Sequence, residues 1–260
     1  MEFGNAWAIA VKDMKEIFSS VSIYGPMLGV PLFFALVLPI LTFYVTIYAA
    51  PSVIARISSL PTAPSVLQGA SAATFMRYFA INVLGPIFLT MPILTSSVIS
   101  ADSFAGEKER KTAEALLATP VKKSELLFGK IMASLIPTVL LTIGVFAIYG
   151  VVTNFFAIKN FNTAILPTPS WLMMVLTSPF LAIVTIGIVV LVSAHVRGVK
   201  ESQQISTLII LPILIMPFIS ILGLASLTVV FFVYVILILL AIAVLLFYVS
   251  IKTFRKDGML

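Results

Sequence analysis

Charge is scarce in this sequence, and the thirty residues Ala101–Lys130 hold 5 of its 10 acids and 6 of its 16 bases. From Phe104 to Ala118 the spacing predicts a helix, with Glu107 and Lys111 as a favourable i,i+4 pair and Arg110 and Glu114 as a second. Glu107, Lys108, Arg110, Lys111 and Glu114 form a charged arc on that helix, opposed by Ala105, Thr112, Ala113, Leu116 and Leu117. A charged surface helix of this kind offers a face that another protein could read. Thr119-Pro120 ends the helix, because the residue before proline avoids the helical region. Ser124 followed by Glu125 is suited to start the next. The plainer alternative is a solvated loop that only fixes topology.

Other chemistry is largely excluded. With no cysteine and one histidine, the chain has no disulfide framework, thiolate site or His-rich metal centre. His195 has no acid or serine motif beside it that resembles a triad and reads as a plain residue next to Arg197. Gly129-Lys130 superficially resembles the end of a phosphate-binding loop. Such a loop needs a first glycine where Ser124 stands, and Ser or Thr where Ile131 stands.

These residues must be positioned by apolar elements, since the 260-residue chain is 60% hydrophobic and 10% charged, with mean hydropathy +1.16. A soluble domain is about 25% charged, so the solvent of this chain is mostly lipid. Runs of roughly 20 uncharged residues are needed to cross the bilayer. They predict spans at Pro26–Tyr48, Phe79–Ser100, Leu127–Val152, Trp171–Ala194, Gln204–Leu222 and Leu227–Ser250, the last two separated by a hairpin near Gly223–Ser226. No ionisable side chain falls in the core of a predicted span, which argues against proton relays and carboxylate-coupled pumps.

Lys and Arg divide 13 to 3 between the two sides of this layout. The minority is Arg56, Arg77 and Lys159. Positive charge favours the cytoplasm, so both termini are expected there, and the net charge of +6 reports topology rather than nucleic-acid binding. Before the first span, Trp7, Ala10, Val11, Met14, Ile17 and Phe18 share one helical face, while Lys12, Asp13, Lys15 and Glu16 share the other. That pattern fits an interfacial helix within residues 1–25 better than a cleavable signal peptide. The expected fold is an all-α integral membrane protein, a single domain of one interfacial helix and six transmembrane helices. Prolines recur in the spans, paired in the second (Pro86, Pro92) and the fifth (Pro212, Pro217), where kinks or hinges are expected.

The run Glu107-Lys108-Glu109-Arg110-Lys111-Thr112-Ala113-Glu114-Ala115-Leu116-Leu117-Ala118-Thr119-Pro120-Val121, with Ser124-Glu125-Leu126-Leu127 and Gly129-Lys130, resembles the loop signature of ABC transporter permeases of the type-2 exporter class. Ser193–Gln204 is similar to that family's second cytoplasmic loop, and Phe254-Arg255-Lys256 to its basic tail. The connection after the fifth span is shorter than in relatives with large outer elements.

The resemblance implies a permease that pairs with a second permease copy, identical or related, and docks a separate cytoplasmic ATPase, which binds the ATP and magnesium. It assigns docking to Glu107, Arg110, Thr112, Glu114, Leu116, Leu117 and Pro120 in a coupling loop at 101–130, and places Arg197, Lys200 and Glu201 in the second loop. It also puts the second and fifth spans at the subunit interface. A substrate path for an amphipathic or lipid-like cargo is therefore expected there, lined by Thr90, Thr95, Ser96, Ser97, Ser206 and Thr207. The other readings are a non-transporting membrane subunit that docks an ATPase, and an ATP-independent channel.

Overall fold

The computed structural model describes residues 3–59, 64–110, 123–193, 195–196, 198–222 and 227–256. These residues are helical throughout apart from short connections, and no strand occurs among them. Helix α1 is Phe3–Ser19. It ends at Ser20, whose extended backbone (φ −100°, ψ 104°) turns the chain into α2, Val21–Tyr44. A π-helical turn at Val45–Ala49 carries α2 into a short helix, Ala50–Ser58. Five longer helical segments follow: α3 (Ala72–Glu109), α4 (Lys123–Phe161), α5 (Pro169–Ser193), α6 (Val199–Ile221) and α7 (Val229–Lys256). Six helices, α2 to α7, are long and apolar enough to cross a membrane.

Helix α3 is the centre of the bundle. In its most apolar window 78% of residues are buried, against 6% in α7. Helix α5 packs on α3, α4 and α7, while α4 carries both α1 and α2 along its length. Between them Phe88, Phe146, Tyr149 and Trp171 form an aromatic knot with ring centroids 4.5 to 6.0 Å apart, the offset and edge-on range that aromatic pairs favour. Gly187 lets α7 approach α5, since a Cβ there would lie 3.2 Å from Leu246.

One proline of each pair, Pro86 and Pro212, sits at an irregular turn, while Pro92 and Pro217 lie within regular helix. In α3, a wider π-helical turn at Phe79–Leu84 precedes Pro86, and the Leu89 N–H donates to the Pro86 carbonyl at 3.0 Å. In α6, the Leu211 N–H donates to the Leu208 carbonyl at 3.1 Å just before Pro212. Both are tight i→i−3 bonds; in α6 the bond gives the Leu208 carbonyl the donor that Pro212 cannot supply.

Several boundaries differ from the sequence reading: α3, α4 and α6 begin four to seven residues before the expected Phe79, Leu127 and Gln204, and α3 and α4 run past their expected ends. The second span was expected to stop at Ser100, with a separate helix from Phe104 to Ala118. Helix α3 instead continues to Glu109, carried through a π-helical turn at Asp102–Gly106 whose Ser103, Phe104, Ala105 and Gly106 are buried; residues 111–118 of the expected helix lie outside the described residues. Phe104 packs with Leu127, Ile186 and Val190, so burial keeps the helix unbroken where charge density suggested a loop. The third span was expected to end at Val152, yet α4 runs on to Phe161, where Asn162 takes the left-handed conformation (φ 53°) that asparagine tolerates at helix ends.

Candidate functional site

At one end of the bundle, four consecutive residues at the tip of α3 each reach a different part of the chain. The Glu107 carboxylate lies 2.7 Å from the Lys130 ammonium of α4. Lys108 donates to the Val196 carbonyl beyond α5 at 3.4 Å. The Glu109 carboxylate accepts from the Val199 N–H at 3.0 Å, placing negative charge at the N-terminus of α6, where the helix dipole favours it. Arg110 donates to Asp102, two turns back on α3, at 3.0 Å.

Lys130 is the hub. Its side chain is 1% exposed, and its ammonium faces Glu107 and, at 3.8 Å, the Asp13 carboxylate of α1. It also donates to the Ser103 carbonyl at 2.5 Å and lies 5.4 Å from the centre of the Phe104 ring. The Ser103 hydroxyl donates to Asp13 at 3.0 Å, which closes the network. A buried ammonium is tolerated only when its donors are occupied and its charge is matched, and both conditions hold here.

Glycines make room for these contacts. A Cβ on Gly129 would stand 2.6 Å from the Ala6 carbonyl oxygen and 2.9 Å from the Ile9 Cβ, so only glycine lets α1 lie this close to α4. At Gly106 a Cβ would meet the Asp102 carboxylate at 3.0 Å and the Arg110 guanidinium at 3.1 Å, directly under that ion pair. On the rim, the hydrogen bond from Arg110 to Asp102 raises the guanidinium pKa against its partial burial. Burial likewise opposes the charge of Lys12, but Asp13, 3.4 Å away, with Glu16 and Glu107, outweighs it, and the pKa rises.

Of the docking residues expected from sequence, Glu107 and Arg110 are thus built into the chain's own ion pairs. Thr112, Glu114, Leu116, Leu117 and Pro120, and Arg197 of the second loop, lie outside the described residues. Lys200 and Glu201 are exposed on the first turn of α6, beside the Glu109 contact. His195 is exposed, with Nδ1 3.0 Å from the Leu191 carbonyl oxygen.

The hydroxyls expected to line a path between two copies do not face outward. Thr90, Thr95, Ser96, Ser97 and Ser206 are all buried within the single chain. Thr90, Ser96 and Ser206 donate to carbonyls three or four residues back on their own helices, and Thr207 to Gln203. These four hydroxyls donate to the backbone, as is usual for Ser and Thr in helices that lack water, whereas the buried Thr95 and Ser97 hydroxyls have no hydrogen-bond partner among the described residues.

Asp13 also departs from its expected place. Sequence periodicity put it on the polar face of α1, whereas it is buried with Ala6, Ala10 and Ile17 against α4, and Trp7 and Phe18 stay half exposed. The available signal was Lys130 itself, a lone cation at the start of a long apolar run, which needs a carboxylate partner once buried. Among the described residues no group of acids and histidine is arranged to hold a metal. The arrangement ties α1, α3, α4, the end of α5 and the start of α6 together.

The model of the ABC-2 family transporter proteins matches residues 7–230 of the chain. The ABC transporter permease protein NatB of Bacillus subtilis (strain 168) is 35% identical over 146 residues, which cover 50% of this chain and 36% of NatB. The chain therefore spans well under half the length of that relative. With the match running from α1 into α7, through every helix of the site, the chain belongs to the ABC-2 transporter family as a membrane-spanning permease.

Proposed function

We propose that this permease is the membrane subunit of an ATP-driven exporter, energised by a separate cytoplasmic ATPase that binds ATP and magnesium, and that it works as a pair of permease subunits in the cell membrane. The observation that carries this reading is the clasp at Glu107–Arg110. One short stretch of the signature loop holds α4, the end of α5, the start of α6 and, through Lys130, α1. A partner that displaces this stretch moves all of them together.

The loop at 101–130 and the second loop, with Lys200 and Glu201, then form the ATPase-docking face, with both termini on the cytoplasmic side. Helix α1 is the interfacial helix, and its exposed Trp7 and Phe18 face lipid. The cargo is amphipathic or lipid-like, because the middle of the spans offers aromatic rings and hydroxyls but no fixed charge to replace an ion's hydration shell.

The test is substrate-stimulated ATP hydrolysis in proteoliposomes holding the permease and its ATPase. Arg110→Glu, which repels Asp102, is expected to cut coupled transport more than tenfold while basal hydrolysis and permease level persist. Glu107→Lys gives the same result with some loss of stability. Unchanged coupling in both variants overturns the docking role, and transport that persists without any ATPase favours a channel.

A further inference from the structure

Where α1 crosses the start of α2 and the middle of α4, the structure leaves an open groove of about 230 Å³. Its walls are apolar: Met14 and Phe18 of α1, Met27 and Leu28 of α2, and Pro137 and Leu140 of α4. At roughly 30 Å³ per water-sized group, it accommodates about seven methylene-sized groups. Pro137 lies seven residues beyond the buried Lys130, or about 10 Å deeper along the helix at ~1.5 Å per residue. The charged clasp marks the watery end of the bundle, so the groove opens at the depth of one leaflet's acyl chains.

An apolar cleft alone selects nothing inside a bilayer, because lipid tails gain no hydrophobic energy by leaving other tails. Selection requires a polar group at its mouth. Lys15 supplies one. It sits one turn before Phe18 on α1, is exposed, and forms no ion pair among the described residues. The neighbouring charges are already engaged: Lys12 lies 3.4 Å from Asp13 and 3.7 Å from Glu16, and Asp13 turns inward to Lys130. The flexible thioethers of Met14 and Met27 suit a chain of variable shape.

We propose that this groove binds one acyl chain of an anionic phospholipid whose phosphate rests on Lys15, seating α1 against α4. The proposal rests on the reading of α1 as an interfacial helix. Its test uses the full-length permease in phosphatidylcholine nanodiscs that carry a trace of phosphatidylglycerol or phosphatidylcholine with a diazirine midway along one chain. The phosphatidylglycerol probe is expected to label Met14–Phe18 and Ile136–Leu141 about fivefold more than the phosphatidylcholine probe, the effect of one lysine near an anionic headgroup.

Lys15→Gln removes that preference, and Lys159→Gln, at the other end of α4, leaves it intact. Leu140→Trp, with unfolding temperature unchanged, lowers labelling by both probes. Equal labelling of the groove by the two probes overturns the headgroup site while leaving α1 in the membrane surface. No labelling of α1 by either probe, with α7 labelled normally, overturns the interfacial placement and the site together.

Discussion

A lysine 1% exposed inside a membrane protein is tolerated because two carboxylates and a backbone carbonyl surround it. Removing one partner of such a network costs far more than removing all of it, since an unmatched buried charge has nowhere to be solvated. Lys130→Met is therefore expected to destabilise the permease by about 3–5 kcal/mol, measured by thermal or denaturant unfolding in detergent. The triple variant Asp13→Asn, Glu107→Gln, Lys130→Met should recover most of that loss. If the single and triple variants unfold alike, the network does not hold the helices. Gly129→Ala forces a methyl group against Ala6, a strain of about 1–3 kcal/mol for an overpacked contact. Hydrogen exchange should then quicken along α1 and stay unchanged in α7. Sequence spacing found the charged residues but assigned partners by the i,i+4 rule. Among the described residues Glu107 pairs with Lys130, 23 residues on, and Arg110 with Asp102, eight residues back, while the expected partners Lys111 and Glu114 lie outside the described residues. The first is a tertiary pairing, and the second spans a π-helical turn that no regular periodicity anticipates.

At the scale of elements, the spans were legible because lipid leaves only one solution for a long uncharged run, a helix that satisfies its own backbone. Their ends were less so. Helix α3 outran its expected boundary because Phe104 and its neighbours find a buried surface, and hydropathy cannot register tertiary burial of a charged-looking segment. The six-span layout with cytoplasmic termini makes a direct prediction, and the chain has no native cysteine to interfere. Single cysteines at Ser58 and Asn160 should react with an impermeant maleimide on intact cells, whereas those at Lys123 and Lys256 should react only after permeabilisation. Labelling of Lys123→Cys on intact cells reverses the orientation. The irregular turns at Pro86 and Pro212 were foreseeable as breaks in hydrogen bonding, but the π-helical turn before Pro86 was not.

For the whole molecule, the sequence exposed the division between a charged end and an apolar body, while the order of enclosure came only from the fold. The second span lies innermost and the sixth outermost. That order places the α3 hydroxyls of the expected path, Thr90, Thr95, Ser96 and Ser97, inside the single chain. It also bears on how the chain is made. Asp13, Glu107 and Lys130 all lie within the first half of the sequence, so the buried triad can close once α4 has entered the membrane. Glu109 and Lys108 must wait for Val199 and Val196, some 70 residues later. At ~5–20 residues per second of synthesis, that leaves the tip of α3 half-fastened for several seconds on the ribosome. Assembly thus proceeds as two successive closures: one anchors the early helices to α1, and the other fastens the late helices onto a platform already standing.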